Sequence, residues 1–130
     1  MLTRRQTFLA LAAAGAVAAA TSAFAAPQTY DQKTFTAAQA ADKPILLHIT
    51  APWCPTCKAQ KPILSKLEAL PRFKDLVVLN FDFDSQKALL RTLRVNQQST
   101  LIVYRGKHEV GRSTGDTDPT SLEALLARAI

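Results

Sequence analysis

Apolar and polar positions fall into distinct blocks after residue 26, and these blocks predict a succession of helices and strands. Residues 45–50, I-L-L-H-I-T, are apolar without alternation, which is typical of a strand buried on both faces of a sheet. Residues 54–70 then place apolar side chains at helical spacing, and Cys54 is predicted to open this helix. Pro62 lies inside it and is expected to kink it, because proline lacks an N–H and crowds the preceding turn.

The flanking blocks complete the pattern. Residues 26–30 are predicted to be an irregular lead-in and residues 31–41 a helix. The chain closes with a hairpin and a helix that begins near Pro119, with Asp118 or Asp116 as its cap. The other predicted elements are a strand at 76–83, a helix at 85–94, and hairpin strands at 100–104 and 108–113.

This order predicts one α/β domain over residues 26–130, with a mixed sheet of four to five strands covered by helices on both faces. No internal repeat, low-complexity segment or Gly/Ser-rich linker divides the sequence there. Its length of about 105 residues supports one small core.

Residues 1–25 are predicted to be a cleavable signal peptide. Arg4 and Arg5 form a basic start, residues 8–20 are apolar, and an A-F-A end places cleavage after Ala25. The apolar run is shorter than the roughly 20 residues of a membrane-spanning helix, which disfavours an anchor. The paired arginines favour a twin-arginine signal, although they also fit ordinary secretory export, and both routes indicate a bacterial periplasm.

The charge balance disfavours a nucleic-acid partner. Without the signal peptide the chain carries 14 basic and 10 acidic residues, a net charge of +4. The basic residues are scattered along helical patterns rather than gathered in a stripe, which indicates a solvated surface. We expect no nucleic-acid binding and take a monomer as the default.

The two cysteines, Cys54 and Cys57, lie three residues apart. A structural disulfide stabilises most when it closes a long loop, and this pair closes almost none, so we interpret it as a redox pair. At a helix N-terminus, Cys54 faces unpaired N–H groups and the positive end of the helix dipole, which favour the thiolate. Cys54 is therefore the predicted nucleophile, and Cys57, expected to be more buried, the predicted resolving thiol.

Three neighbours are predicted to form the substrate-binding rim. Pro55 suits the first helical turn, where its absent N–H would have no partner. Thr56 is expected to donate its hydroxyl hydrogen toward sulfur. Trp53 is expected to give a flat apolar rim, with a core position as the alternative. A structural zinc site is disfavoured, because there is no second cysteine pair and His48 and His108 are the only histidines.

The string W-C-P-T-C after an apolar strand, followed by Lys58 and Pro62, resembles the thioredoxin superfamily over nearly the whole chain after the signal peptide. Gly106 and Gly115 fall where that family turns its hairpin and enters its last helix. The resemblance implies a thioredoxin-like three-layer sandwich and a thiol–disulfide oxidoreductase whose redox group is its own cysteine pair, without a further cofactor. The string itself resembles that of reductases in cytochrome c maturation, whose inserted segment is absent here.

One departure from the family lies at Ser99, where thioredoxins usually carry a cis-proline facing the cysteines. A cis bond before a non-proline residue costs about 2.5–4 kcal/mol, so we expect a trans Gln98–Ser99 peptide and an altered groove. The backbone of Gln98 and Ser99 is expected to pair with an extended substrate. The Ser99 hydroxyl is expected near the sulfurs.

A second departure is His48, which stands where thioredoxins carry a buried acid that handles the proton of the resolving cysteine. Imidazole titrates near neutral pH, so His48 could serve as that proton relay. The alternative is a core histidine satisfied by a backbone carbonyl. Asn80 replaces the lysine that often accompanies the acid.

The sequence thus predicts a periplasmic thiol–disulfide oxidoreductase that acts as a reductant. Its expected partners are cysteine-containing periplasmic proteins and a membrane thiol carrier that supplies its electrons. The alternative is a copper- or iron–sulfur-binding chaperone that uses Cys54, Cys57 and His48, since Ser99 removes the proline that normally crowds the sulfurs.

Overall fold

A computed structural model describes residues 15, 16 and 26–130, and these residues contain five strands and four α-helices. Residues 1–14 and 17–25 of the predicted signal peptide, which include Arg4, Arg5 and the predicted cleavage site after Ala25, lie outside the described residues. In chain order the elements are β1 (Gln28–Thr29), α1 (Gln32–Ala40), β2 (Pro44–Thr50), α2 (Pro55–Glu68), β3 (Val77–Asp82), α3 (Lys87–Thr92), β4 (Thr100–Arg105), β5 (His108–Thr114) and α4 (Pro119–Ala127), with a short 3-10 helix at Pro71–Phe73.

The apolar strand β2 lies at the centre of one mixed sheet with the order β1-β3-β2-β4-β5. It pairs in parallel with β3 and antiparallel with β4, and all its residues except the last are buried, which confirms the predicted central strand. Strand β5 forms the hairpin with β4. The irregular lead-in predicted at 26–30 is wrong, because Gln28 and Thr29 pair in parallel with β3. Two residues are too few to show a periodic pattern.

Helices cover both faces of the sheet, which confirms the three-layer α/β sandwich. Phe35 of α1 and Leu90 of α3 join the core on one face, whereas Leu64 of α2 and Leu122 of α4 join the core on the other. Helix α3 is shorter than the predicted 85–94 at both ends, and its C-terminal end is set by Arg94, which adopts a left-handed φ of 57°.

A capping side chain fixes where α4 begins, and a proline stands at the start of α2. The Asp118 carboxylate accepts a hydrogen bond of 2.8 Å from the Ser121 N–H, which identifies Asp118 as the cap of α4. Helix α2 begins at Pro55 and continues through Pro62 to Glu68. Within the part of the chain that the structure describes, no helix is both long enough and apolar enough to cross a membrane.

Candidate active site

The two cysteines form a disulfide at the N-terminus of α2, and their Cα atoms lie 5.3 Å apart. Cys54 is the N-cap in an extended conformation, and its Sγ accepts a hydrogen bond of 3.1 Å from the Cys57 N–H. The first turn of α2 carries no acidic residue that would oppose a negative charge there. A sulfur anion at Cys54 would therefore be stabilised by both the helix dipole and a backbone donor.

Both cysteines are buried, and Cys57 is marginally the more buried of the two, in the order predicted. Cys54 is 1% exposed and Cys57 0% exposed, so Cys54 is nearly as buried as its partner. Both pack with Ala51 and the partly buried Phe83 in a small cluster of their own. Phe83 follows β3 directly, so it reaches the cysteines through the tertiary fold rather than through sequence proximity.

The rim residues occupy three different environments. Trp53 is 55% exposed, and its Nε1–H donates a hydrogen bond of 2.8 Å to the Asp84 carboxylate, so it forms a rim rather than core. Pro55 is exposed at the first helical position. Thr56 is half-buried, and its hydroxyl makes no hydrogen bond to sulfur among the described residues; the Cys57 N–H bonds to the Cys54 sulfur.

Ser99 lies in a strained position that its own backbone bonds maintain. Its φ is 59°, in the left-handed region, and the peptide bond before it is trans, as expected. The Ser99 N–H donates to the Ile49 carbonyl at 2.8 Å, and its carbonyl accepts the Gly115 N–H at 3.0 Å. The same strand carbonyl, that of Ile49, lies 4.0 Å from the Cys57 Sγ.

These bonds correct part of the substrate-groove prediction. The Ser99 backbone is engaged inside the protein and cannot pair with a substrate strand as expected. Its hydroxyl donates to the Gln98 carbonyl at 2.6 Å, and among the described residues it makes no hydrogen bond to either sulfur. The backbone N–H of the half-buried Gln98 has no partner among the described residues, so Gln98 remains the predicted substrate contact of this pair.

His48 lies on the face of β2 that packs against α2, and it is 3% exposed. Its Nε2 lies 3.0 Å from the Oε1 of Gln60, a side chain of α2 that is 0% exposed. A backbone carbonyl was the partner expected for a core histidine, and the observed partner is a side-chain amide. Burial lowers the pKa of His48, the Gln60 hydrogen bond raises it, and the charge of Lys61 lowers it.

Gln60 connects His48 to two backbone segments. Its Nε2 donates to the Ser99 carbonyl at 3.1 Å and to the Asp116 carbonyl at 2.9 Å. Gln60 lies three residues after Cys57, one helical turn further along α2. The helix that carries the cysteines is therefore joined to β2, to the Ser99 turn and to the segment before α4.

A cavity of about 170 Å³ borders His48. His48, Lys61, Glu68 and Asn80 line it together with Ser65. Glu68 is only 5% exposed, and burial raises its pKa to about 7.

Sequence reasoning missed Gln60, Phe83 and Asp84. Gln60 could have been found, since it occupies the helical face that also carries Cys57 and Leu64 and thus breaks an apolar stripe with an amide. The contacts of Phe83 and Asp84 depend on where the loop after β3 is placed, and no local pattern reveals that. Among the described residues, no group of three or more His, Cys, Asp or Glu side chains is arranged to hold a metal ion.

Comparison with known proteins gives a consistent picture. The thioredoxin family model matches residues 26–128. Thioredoxin H2-1 of Oryza sativa subsp. japonica is 35% identical over 84 residues, which cover 65% of this chain and 59% of the rice protein. The thiol:disulfide interchange protein DsbE of Yersinia pestis is 38% identical over 84 residues, which cover 64% of this chain and 44% of that protein.

The crystal structure of Trxlp from Edwardsiella tarda EIB202 is similar along its whole length. It superposes with a TM-score of 0.75 at 46% identity and covers 78% of this chain and 98% of its own. The chain thus spans less than two thirds of the rice and Yersinia proteins but nearly all of the Edwardsiella structure.

Proposed function

The chain belongs to the thioredoxin family of thiol–disulfide oxidoreductases, and from that premise we propose that it acts as a reductant of protein disulfides in the bacterial periplasm. The observation that carries this proposal is the placement of Cys54 at the cap of α2, where its sulfur accepts a backbone hydrogen bond. The predicted signal peptide at 1–25 supports the compartment. The net charge of +4 after residue 25 gives no reason to prefer a nucleic-acid partner.

The proposed reaction transfers two electrons from the cysteine pair to a substrate disulfide. The Cys54 thiolate attacks one sulfur of the substrate, a Cys54–substrate disulfide forms, and the other substrate sulfur leaves as a thiolate. The Cys57 thiolate then attacks the Cys54 sulfur, which releases the second substrate sulfur and leaves the Cys54–Cys57 disulfide. A membrane thiol carrier would return the two electrons.

His48 is proposed to accept the proton of Cys57 before the second step. Burial keeps the imidazole neutral near neutral pH, because it lowers the pKa of His48, and a neutral imidazole can act as a base. Cys57 lies beside the backbone of Ile49, the residue that follows His48 in β2. Trp53, Pro55, Thr56 and Gln98 are proposed to contact the substrate around the sulfurs.

Paired cysteine variants test this assignment. In the reduction of insulin by dithiothreitol, Cys54→Ser should lower the catalysed rate to that of dithiothreitol alone, because the nucleophile is lost. Cys57→Ser retains the nucleophile and should accumulate a mixed disulfide with the substrate, detectable by mass spectrometry. If Cys54→Ser reduces insulin at the wild-type rate, the assignment of Cys54 is wrong.

The reductant role and the compartment have separate tests. A Cys54–Cys57 reduction potential of about −270 mV, the value of thioredoxin, supports a reductant. A reduction potential of about −120 mV, typical of a strongly oxidising member of the superfamily, identifies an oxidant. Expression of the full chain in a bacterium should yield a periplasmic product that begins at Ala26. A product that keeps residues 1–25 in the cytoplasm would contradict the proposed export.

A further inference from the structure

The buried amide of Gln60 has only one orientation that satisfies its neighbours. Its Nε2 lies 3.1 Å from the Ser99 carbonyl and 2.9 Å from the Asp116 carbonyl. Both partners are acceptors that carry no hydrogen, so the group facing them must be the NH₂, which has two hydrogens to donate. The opposite end, Oε1, therefore faces His48.

The orientation of the amide determines the protonation of the imidazole. Oε1 can only accept, and it lies 3.0 Å from the His48 Nε2. A hydrogen bond at this distance requires a hydrogen on Nε2. In the neutral ring the second nitrogen, Nδ1, then carries no hydrogen and has a free lone pair.

We propose that Gln60 is a positioning residue that holds neutral His48 as its Nε2–H tautomer and so makes Nδ1 the nitrogen that accepts a proton. The part that concerns proton transfer from Cys57 rests on the proposed function. The tautomer itself does not rest on it, because it follows from the two carbonyls that orient Gln60 and from the contact between Gln60 and His48. On this proposal the proton of the Cys57 thiol goes to Nδ1, and the resulting imidazolium keeps its Nε2–H bond to Gln60.

The Gln60 amide also links the imidazole to the turn that contains Ser99. Ser99 stands where the resemblance places the proline that faces the cysteines, and its carbonyl is one of the two acceptors that fix the amide. The Ser99 turn therefore contributes to the orientation of His48 through Gln60. Among the described residues, it makes no hydrogen bond to the imidazole itself.

Other ionisable groups near His48 act on its charge rather than on its tautomer. Lys61 of α2 lowers the pKa of His48 through its positive charge, and Glu68 of α2 lines the same cavity. From the neighbouring strand β3, Asn80 pairs in register with His48 and carries no charge. Cys57 of α2 adds a negative charge when it ionises. None of these groups donates to or accepts from Nε2.

Nitrogen-15 NMR of the wild-type protein tests the tautomer directly, because protonated and unprotonated ring nitrogens differ strongly in chemical shift. Above its pKa, His48 should be a single Nε2–H species with a slowly exchanging ring proton. The exposed His108 provides an internal reference that should exchange its ring proton rapidly. A predominant Nδ1–H form of His48 would overturn the proposal, whatever the redox activity of the protein.

The variant Gln60→Met tests the positioning role. It keeps the length of the side chain and removes the acceptor, so exchange of the His48 ring proton should become about three- to tenfold faster, in keeping with the loss of one hydrogen bond. The pKa of His48 should fall further, since the Gln60 bond raises it. Gln39→Met, on the remote helix α1, is the control and should change neither quantity.

The same variant separates this proposal from the proposed function. Insulin reduction by Gln60→Met should slow about three- to tenfold, with the loss concentrated on the step that needs Cys57 deprotonated. A folded Gln60→Met variant with an unchanged His48 tautomer and ring-proton exchange contradicts the positioning role. A wild-type protein that shows the expected tautomer but does not reduce insulin contradicts the proposed function and leaves the positioning role standing.

Discussion

Two buried clusters lie one helical turn apart on α2, and they are stabilised in different ways. The first surrounds Cys54 and Cys57 and is apolar, with Ala51 and Phe83 as its neighbours. The second surrounds Gln60 and contains His48 and Ser99, whose polar groups are hydrogen-bonded to one another or to the backbone. The side chains around the cysteines contribute mainly apolar packing, whereas the side chains around Gln60 contribute directional hydrogen bonds.

The difference indicates how the site can react without losing its shape. Packing against an aromatic ring depends weakly on direction, so the sulfurs can become accessible when Phe83 moves. A buried hydrogen-bond network tolerates little displacement, because each unmade bond costs about 1–3 kcal/mol. We therefore expect substitutions in the polar cluster to disturb the fold most and substitutions in the apolar cluster to change access to the sulfurs.

The largest effect is expected for Ser99→Pro, although proline is the residue usual for the family at this position. Proline fixes φ near −65°, whereas Ser99 has a φ of 59°, and proline cannot donate the hydrogen bond that Ser99 makes to Ile49. We expect the free energy of unfolding to fall by about 3 kcal/mol or more, as measured by urea denaturation.

Ser99→Gly is the matched control, because glycine adopts a positive φ freely and keeps the N–H. Its free energy of unfolding should stay within about 1 kcal/mol of the wild type. A Ser99→Pro protein as stable as wild type would show that this turn can rearrange into the proline conformation, and the polar cluster would then be less rigid than inferred.

A smaller effect is expected for Phe83→Ala on the apolar side. Truncating this partly buried ring should cost about 2 kcal/mol, less than the 3–5 kcal/mol of a fully buried phenylalanine. Reduction of the Cys54–Cys57 disulfide by a small thiol should become faster, because the sulfurs lose their cover. Leu89→Ala, at a side chain 38% exposed, is the control for both measurements. Equal reduction rates in the two variants would show that Phe83 does not limit access.

The contrast between the clusters also explains which features the sequence could predict. The strand before Cys54 and the helix after it are visible from local apolar spacing, and the cap position of Cys54 follows from their junction. The pairing of Gln60 with His48 joins residues 12 apart on two elements, and its bonds to Ser99 and Asp116 span 39 and 56 residues. Contacts between residues so far apart in the sequence depend on the tertiary fold.

Ser99 shows the same limit of sequence-based prediction at a single residue. Its trans peptide followed from the energetic cost of the cis form. Its positive φ did not, because serine rarely adopts that conformation and the bonds that hold it there come from Ile49, Gly115 and Gln60. A resemblance to a family that carries proline there could not supply the geometry of a different residue.

The smallest effect is expected for Glu68→Gln, on the cavity that borders the polar cluster. Burial raises the pKa of Glu68 from 4.5 to about 7, so the folded state binds its proton more tightly than the unfolded state. The stabilisation from that proton is complete below about pH 4.5 and is lost as the pH rises through about 7. Glutamine has no proton to lose and should remove this dependence.

We therefore expect the free energy of unfolding of Glu68→Gln to match that of the wild type at about pH 4 and to exceed it by about 1–2 kcal/mol at about pH 8. The difference is kept to this size because solvent in the cavity screens part of the carboxylate charge. Urea denaturation across this range measures the difference. Glu123→Gln, at an exposed side chain paired with Arg72, is the control and should change stability by less than about 1 kcal/mol at either pH. A constant offset between Glu68→Gln and wild type would show that Glu68 is paired or hydrated when folded. The cavity beside His48 would then hold a negative charge at neutral pH and would stabilise the imidazolium.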